Sequence, residues 1–178
     1  FEKTSEAYST AKLAGIKLCQ SFRKQYGLNA IVAIPATVYG PEGDTQLASA
    51  HVMGALIAKF AQVVKEKKNE VIVWGTGNPR REFIYIDDFV AACLFLMDRY
   101  EEESIVHIGC GEDVTIKDLA GMIARSVGYT GKITFDISKP DGAMQKLLDN
   151  TALKQLGWAP KVGLEEGIQR IYEWFVNK

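Results

Sequence analysis

With 178 residues, 47% of them hydrophobic and 24% charged, the chain has the length and composition to bury a real core. A formal net charge of -1 leaves no basic excess for a nucleic-acid backbone, so an acidic partner must be met by a few placed cations. No apolar run reaches the roughly 18 residues of a membrane span, and three scattered cysteines make no metal-ligand cluster, which points to reduced thiols in a cytoplasmic protein.

In chain order, residues 7–26 read as a helix, with Leu13, Ile16, Phe22 and Tyr26 as its apolar positions and Gly27 as its stop. "AIVAIPATVYGP" reads as a short buried strand, Ala30 to Ile34, that runs into a Pro/Gly-rich loop. A long loop precedes a helix from about Ala50 to Lys67, with Ser49 as its N-cap. Val52, Met53, Leu56, Ile57, Phe60 and Val64 fall on one face of it. "EVIVWGTG" is a strand into a glycine turn. "REFIYIDD" is another strand, with Asp87 or Asp88 placed to cap the helix "FVAACLFLMDRY". "SIVHIGCG" is a further strand. Thr115 and Asp118 have the spacing of a capping box for a helix ending near Gly128. "KITFDIS" is a strand, and the segment from Leu164 is amphipathic through Ile168, Ile171, Tyr172 and Phe175.

This order predicts an α/β chain with a boundary near residue 40. No strand followed by a G-x-G-x-x-G turn is visible, so a self-sufficient dinucleotide-binding half is not expected within these residues.

Tyr8 and Lys12 stand one helical turn apart, a spacing that puts both on one face. A positive charge beside a phenol stabilises the phenolate, and such a phenol can give a proton to a carbonyl oxygen or take it back. Spacing alone serves equally a half-buried Tyr beside a solvated Lys. The wider run adds to it: Y-S-T-A-K, a helix, an apolar strand, then "PATVYGP". With "REFIYIDD" and "HIGCGEDVTIKDLA", it resembles the extended short-chain dehydrogenase/reductases that act on nucleotide sugars, the NAD-dependent epimerase/dehydratase family. "SAHV", "VWGTG" and "KPDG" resemble the branch that epimerises and reduces GDP-4-keto-6-deoxy-mannose with NADPH.

The resemblance implies a fold: the tail end of a Rossmann-type doubly wound sheet in residues 1–40, and a smaller nucleotide-sugar-binding lobe in 41–178, with about 84–103 packing back on the first part. It implies Tyr8 as general acid, Lys12 as its partner and ribose contact, and His51 as a proton donor in epimerisation that also borders the cofactor. Imidazole titrates in the range such a step needs, although a His beside a helix start is equally an exposed capping-region residue. Pro35, Ala36, Thr37 and Val38 match the segment beside the nicotinamide end of NADP(H). Lys59, Trp74, Arg81, Asp141 and Lys146 match substrate contacts. On residue chemistry alone, Arg81 is also a surface charge, Trp74 a core indole and Asp141 a turn residue before Gly142. His107 reads as structural.

Three segments depart from the branch's wording. P-A-T-V replaces P-T-N-[LV], while Lys59 and Gln145 stand where arginines are usual. A different nucleotide-sugar 4-epimerase or 4,6-dehydratase is the alternative these departures keep open. The resemblance also puts a glycine-rich phosphate loop, a catalytic Ser and a second epimerisation residue, a Cys, upstream of Tyr8. The expectation is therefore the C-terminal part of a homodimeric enzyme, inactive alone or a nucleotide-sugar-binding fragment.

Overall fold

The computed structural model describes residues 6–41 and 52–177. In chain order the elements are α1 (Glu6–Tyr26), β1 (Ala33–Pro35), β2 (Thr37–Tyr39), α2 (Val52–Lys65), β3 (Glu70–Trp74), β4 (Arg80–Arg81), β5 (Phe83–Tyr85), α3 (Ile86–Arg99), β6 (Val106–Ile108), β7 (Val114–Thr115), α4 (Ile116–Ser126), β8 (Lys132–Asp136), β9 (Gln145–Lys146), α5 (Thr151–Gln155) and α6 (Leu164–Val176). The chain is α/β, as its sequence pattern predicts. Three strand pairs, β1–β6, β2–β5 and β3–β8, are parallel, which the long helical connections between their members require. A fourth sheet places β4 between antiparallel β7 and parallel β9.

Helix α1 ends where expected, at Gly27, whose φ of 67° is reached readily only without a Cβ. None of its residues is buried, so its apolar stripe finds little cover among the described residues. Arg23 ties its C-terminal end down, donating to Asn29 Oδ1 at 2.8 Å and to the Glu101 carbonyl. Helix α4 has the predicted cap: Thr115 Oγ1 accepts from the Asp118 N–H at 2.9 Å and donates to its carboxylate at 2.6 Å. Helix α6 buries Ile168 and Ile171 and half-buries Tyr172 and Phe175, in phase with its pattern.

Several expectations need correction. The strand expected at Ala30–Ile34 is β1, shifted to Ala33–Pro35, and Ala33 and Pro35 are exposed rather than buried, with β6 its one strand partner among the described residues. The loop read after it contains β2. "REFIYIDD" is not one strand but two, broken at Glu82, where the chain passes between sheets. The Glu82 N–H donates to the Lys146 carbonyl at 3.2 Å, and its carbonyl accepts from the Thr37 N–H at 3.1 Å. Neither Asp87 nor Asp88 caps α3, which starts after Tyr85 with no side-chain cap. Asp88 is buried instead and accepts from the N–H groups of Lys161 and Val162 at 2.8–3.1 Å. On α2 the inward residue after Phe60 is Val63, while Val64 is 36% exposed. The proposed Ser49 cap lies outside the described residues.

The β2–β5 ladder separates two apolar clusters. Tyr39, Phe83 and Tyr85 face α2, β3, α4 and α6. Val38 and Ile84, the alternate positions, face α3, β6 and α5. Side chains that alternate across a strand make this division possible with only three residues each.

Candidate functional site

Helix geometry brings Tyr8 and Lys12 together: the Lys12 ammonium lies 5.6 Å from the centroid of the Tyr8 ring. Tyr8 is 67% exposed, so a ligand has direct access to it. His51 lies outside the described residues. The segment Pro35–Val38 crosses from β1 to β2 beside the C-terminal end of β6, the edge at which open α/β sheets hold ligands. The Ala36 N–H donates to the Ile108 carbonyl at 2.9 Å, and the Ala36 and Val38 side chains pack against the α3 cluster. Pro35 alone of the four is exposed. Its ring is the part of this segment most open to a ligand.

The five residues matched to substrate form a linked group from four elements and a loop. Trp74 ends β3 and is 64% exposed. Lys59 reaches it from α2: its ammonium donates to the Ile72 carbonyl at 2.7 Å and sits 5.5 Å from the indole centroid. Beyond Trp74, the turn at Gly75 has a φ of 84°, and a Cβ there would strike the Asp141 carboxylate. Asp141 grips this turn, accepting from the Thr76 N–H at 2.9 Å and the Thr76 hydroxyl at 2.6 Å. These bonds, with the charge of Arg81 adding to them, hold the Asp141 carboxyl below its ordinary range. Arg81 donates to the carbonyls of Arg80 and Ala143 at 2.7 and 2.6 Å. Lys146 stands opposite Arg81 in the β4–β9 ladder. Asp141 is thus a turn-holding group here, with further lone pairs free for a ligand N–H.

Sequence reasoning missed Thr76, Lys139 and Glu82. Lys139 is the first residue of "KPDG", where only Asp141 was given a role, and its ammonium lies 5.6 Å from the Trp74 ring centroid. Glu82 is 2% exposed, and its two oxygens accept from the N–H groups of Gly111 at 2.7 Å and Leu148 at 2.9 Å. A Cβ on Gly109 would strike the same carboxylate. The acidic residue after Arg81 signals this position in the sequence, but its remote partners do not show there. Gln145, where an arginine is usual in the resembled branch, donates to Asp113 at 2.6 Å, next to the Arg80–Asp113 ion pair. His107 Nδ1 lies 3.0 Å from the Asp149 carbonyl. The Cys110 thiol donates to the Phe83 carbonyl at 3.1 Å, and burial pushes it up to about 11, so it is a neutral packing group at pH 7.

Partial burial lowers the Lys59 amine below its ordinary value. Between that lowered value and 10.5 the unfolded chain binds more protons than the folded one, so this group makes stability rise with pH there. Lys59→Met should remove that increment. Denaturant melts of both proteins from neutral pH to about 10.5 should show curves that differ in slope on the alkaline side, and parallel curves would refute the shift.

Residues 1–109 match the model of the NAD dependent epimerase/dehydratase family. The chain is 46% identical over 176 residues to the probable GDP-L-fucose synthase 1 of Oryza sativa subsp. japonica, covering 99% of this chain and 54% of that protein. It is 42% identical over 185 residues to the GDP-L-fucose synthase of Escherichia coli (strain K12), covering 99% and 58%. The chain therefore spans little more than half the length of these curated relatives. Among solved structures, the GDP-mannoheptose C4 reductase MlghC from Campylobacter jejuni, with NADP bound, superposes with a TM-score of 0.84 at 32% identity, over 99% of this chain and 59% of that one.

Proposed function

Since the chain belongs to the NAD dependent epimerase/dehydratase family, we propose that it supplies the proton-donating and nucleotide-sugar-gripping parts of an NADPH-dependent epimerase/reductase. Its substrate is a 4-keto-6-deoxy nucleotide sugar, of the type that becomes GDP-L-fucose. One observation carries this reading: Lys59, Trp74, Arg81, Asp141 and Lys146, scattered in sequence, are linked through direct contacts and a strand ladder into one group around an exposed indole. A planar aromatic and several cations suit a base and a diphosphate. The names of the curated relatives support GDP as the nucleotide, and NADP in the superposing reductase supports the cofactor.

In this reading Tyr8 Oη donates a proton to the keto oxygen of the sugar. Lys12 stabilises the phenolate left behind and contacts a ribose. His51 is assigned its proton transfer in epimerisation on family likeness alone. NADP(H), when bound, supplies the hydride. Pro35, Ala36, Thr37 and Val38 line its nicotinamide end through ring and backbone. Residues 1–40 then act on the cofactor side and 41–178 chiefly on the sugar side, with α3 packed back toward the former. The exposed apolar positions of α1, Leu13, Leu18 and Phe22, support a homodimer formed through this helix. No helix among the described residues is long and apolar enough to cross a membrane, and three free thiols favour the cytoplasm.

The test is a fusion of this chain behind the N-terminal part of the E. coli relative, given GDP-4-keto-6-deoxy-mannose and NADPH. Net NADPH consumption is expected. Inversion or dehydration without net consumption favours the 4-epimerase or dehydratase reading, to which Lys59 and Gln145 lend support. The isolated chain is expected to bind GDP and to show no turnover.

A further inference from the structure

We propose that Lys139 is a further residue for the diphosphate of the nucleotide sugar, working with Lys59 beside Trp74. The inference rests on the nucleotide-sugar reading and extends it to the first residue of "KPDG", to which the family likeness gave no role. Its basis is placement. β8 ends at Asp136, which stands opposite Trp74 in the β3–β8 ladder. The chain then turns back: the Lys139 N–H donates to the Asp136 carbonyl at 3.2 Å, while the Ser138 N–H and hydroxyl donate to the Asp136 carboxylate at 3.1 and 2.6 Å. This closed turn delivers the Lys139 ammonium to 5.6 Å from the indole centroid, while Lys59 arrives from α2 at 5.5 Å.

Two ammonium groups brought to one exposed ring repel each other. A cation–π contact at an exposed site offsets little of that. Asp136, which accepts from Ser138, and Asp141, which accepts from Thr76, place negative charge nearby, but neither closes to an ion pair with Lys59 or Lys139 among the described residues. Among the described residues, Lys59, Lys139, Arg81 and Lys146 form no salt bridge. Two cations at one aromatic ring at the C-terminal edge of parallel strands, with Arg81 held to the Ala143 carbonyl of the Asp141 loop and Lys146 beside it in the β4–β9 ladder, fit a ligand carrying two or more negative charges next to a planar ring. A nucleoside diphosphate has that chemistry. Lys139 is exposed and unanchored at its tip, so its ammonium is free to leave the indole for a phosphate oxygen when a base takes the ring face.

The test titrates the 178-residue chain with GDP, inorganic pyrophosphate and guanosine by calorimetry, for the unmodified protein, Lys139→Ala and Lys132→Ala. Lys132 is an exposed lysine at the other end of β8. Lys139→Ala should weaken GDP and pyrophosphate about three- to tenfold, as loss of one partly screened charge contact does. It should flatten their salt dependence, leave guanosine unchanged, and leave the circular dichroism spectrum intact. Lys139→Glu should weaken both anions further. Unchanged GDP binding by Lys139→Ala, or an equal loss in Lys132→Ala, overturns the role of Lys139 and leaves the nucleotide site standing. Absence of GDP binding by the unmodified chain overturns the nucleotide reading and this inference with it.

Discussion

Replacing Tyr8 with Phe is expected to slow ketone reduction about 10²–10⁴-fold, the usual contribution of a positioned general acid. The substitution removes one oxygen from a ring that is 67% exposed, so folding should be unaffected. The Lys12 ammonium keeps its place over the ring, since a phenyl face attracts a cation as a phenol face does. Among the described residues no hydrogen bond, ion pair or ring contact joins Tyr8 to the binding group around Trp74, so GDP affinity should stay within about twofold. The loss should therefore fall on kcat, because the proton is transferred only in the transition state. The measurement is NADPH absorbance in the fusion protein, with GDP affinity as the internal control. Full-rate hydride transfer by the Phe variant would falsify the general-acid assignment.

Glu82→Ala should be the most destabilising single change on the sugar side. It strips the acceptor from two backbone N–H groups, those of Gly111 and Leu148, inside a site where the side chain is 2% exposed. Each orphaned donor costs about 1–3 kcal/mol, and the emptied volume adds to it. A total of about 3–5 kcal/mol is a large share of the 5–15 kcal/mol typical of a domain. Glu82→Gln keeps the shape but turns an amide NH₂ toward one of the two donors, so it should cost less, about 1–2 kcal/mol. Urea denaturation ranks the three proteins. Equal midpoints for wild type and Glu82→Ala would show that water replaces the carboxylate without loss. The turn at Gly109–Gly111 and the strand bearing Lys146 both hang on this side chain, so Glu82→Gln should also weaken GDP binding.

Helices α1, α4 and α6 were legible because their signals are local: a 3.6-residue apolar period, a Thr–Asp pair three apart, a terminal glycine. The phase of α2 was legible only to within one residue. Val63 and Val64 stand three and four positions after Phe60, and both spacings fit one helix face. The short elements were not legible. β2, β4 and β9 hold three, two and two residues, and their pairing is settled by partners tens of positions away. α5, with five residues, is below the length at which periodicity speaks. Asp88 sits where a capping acid belongs, yet its hydrogen bonds go to residues 73 and 74 positions later.

Of the candidate site, motif likeness supplied the residues that carry charge or a ring. It did not supply those that hold the residues in place, because a grip such as Thr76 on Asp141 is a tertiary fact. Lys139 falls between the two kinds: it has the right chemistry, but only the turn after β8 brings it to Trp74.

The ladder of β2 and β5 is a party wall. Val38 and Ile84 furnish the room on one side, and Tyr39, Phe83 and Tyr85 the room on the other. Neither room has a wall of its own there. Grafting either side onto a homologue would cut through side chains that serve the neighbour, so recombination across this seam must carry both strands together or ruin both interiors.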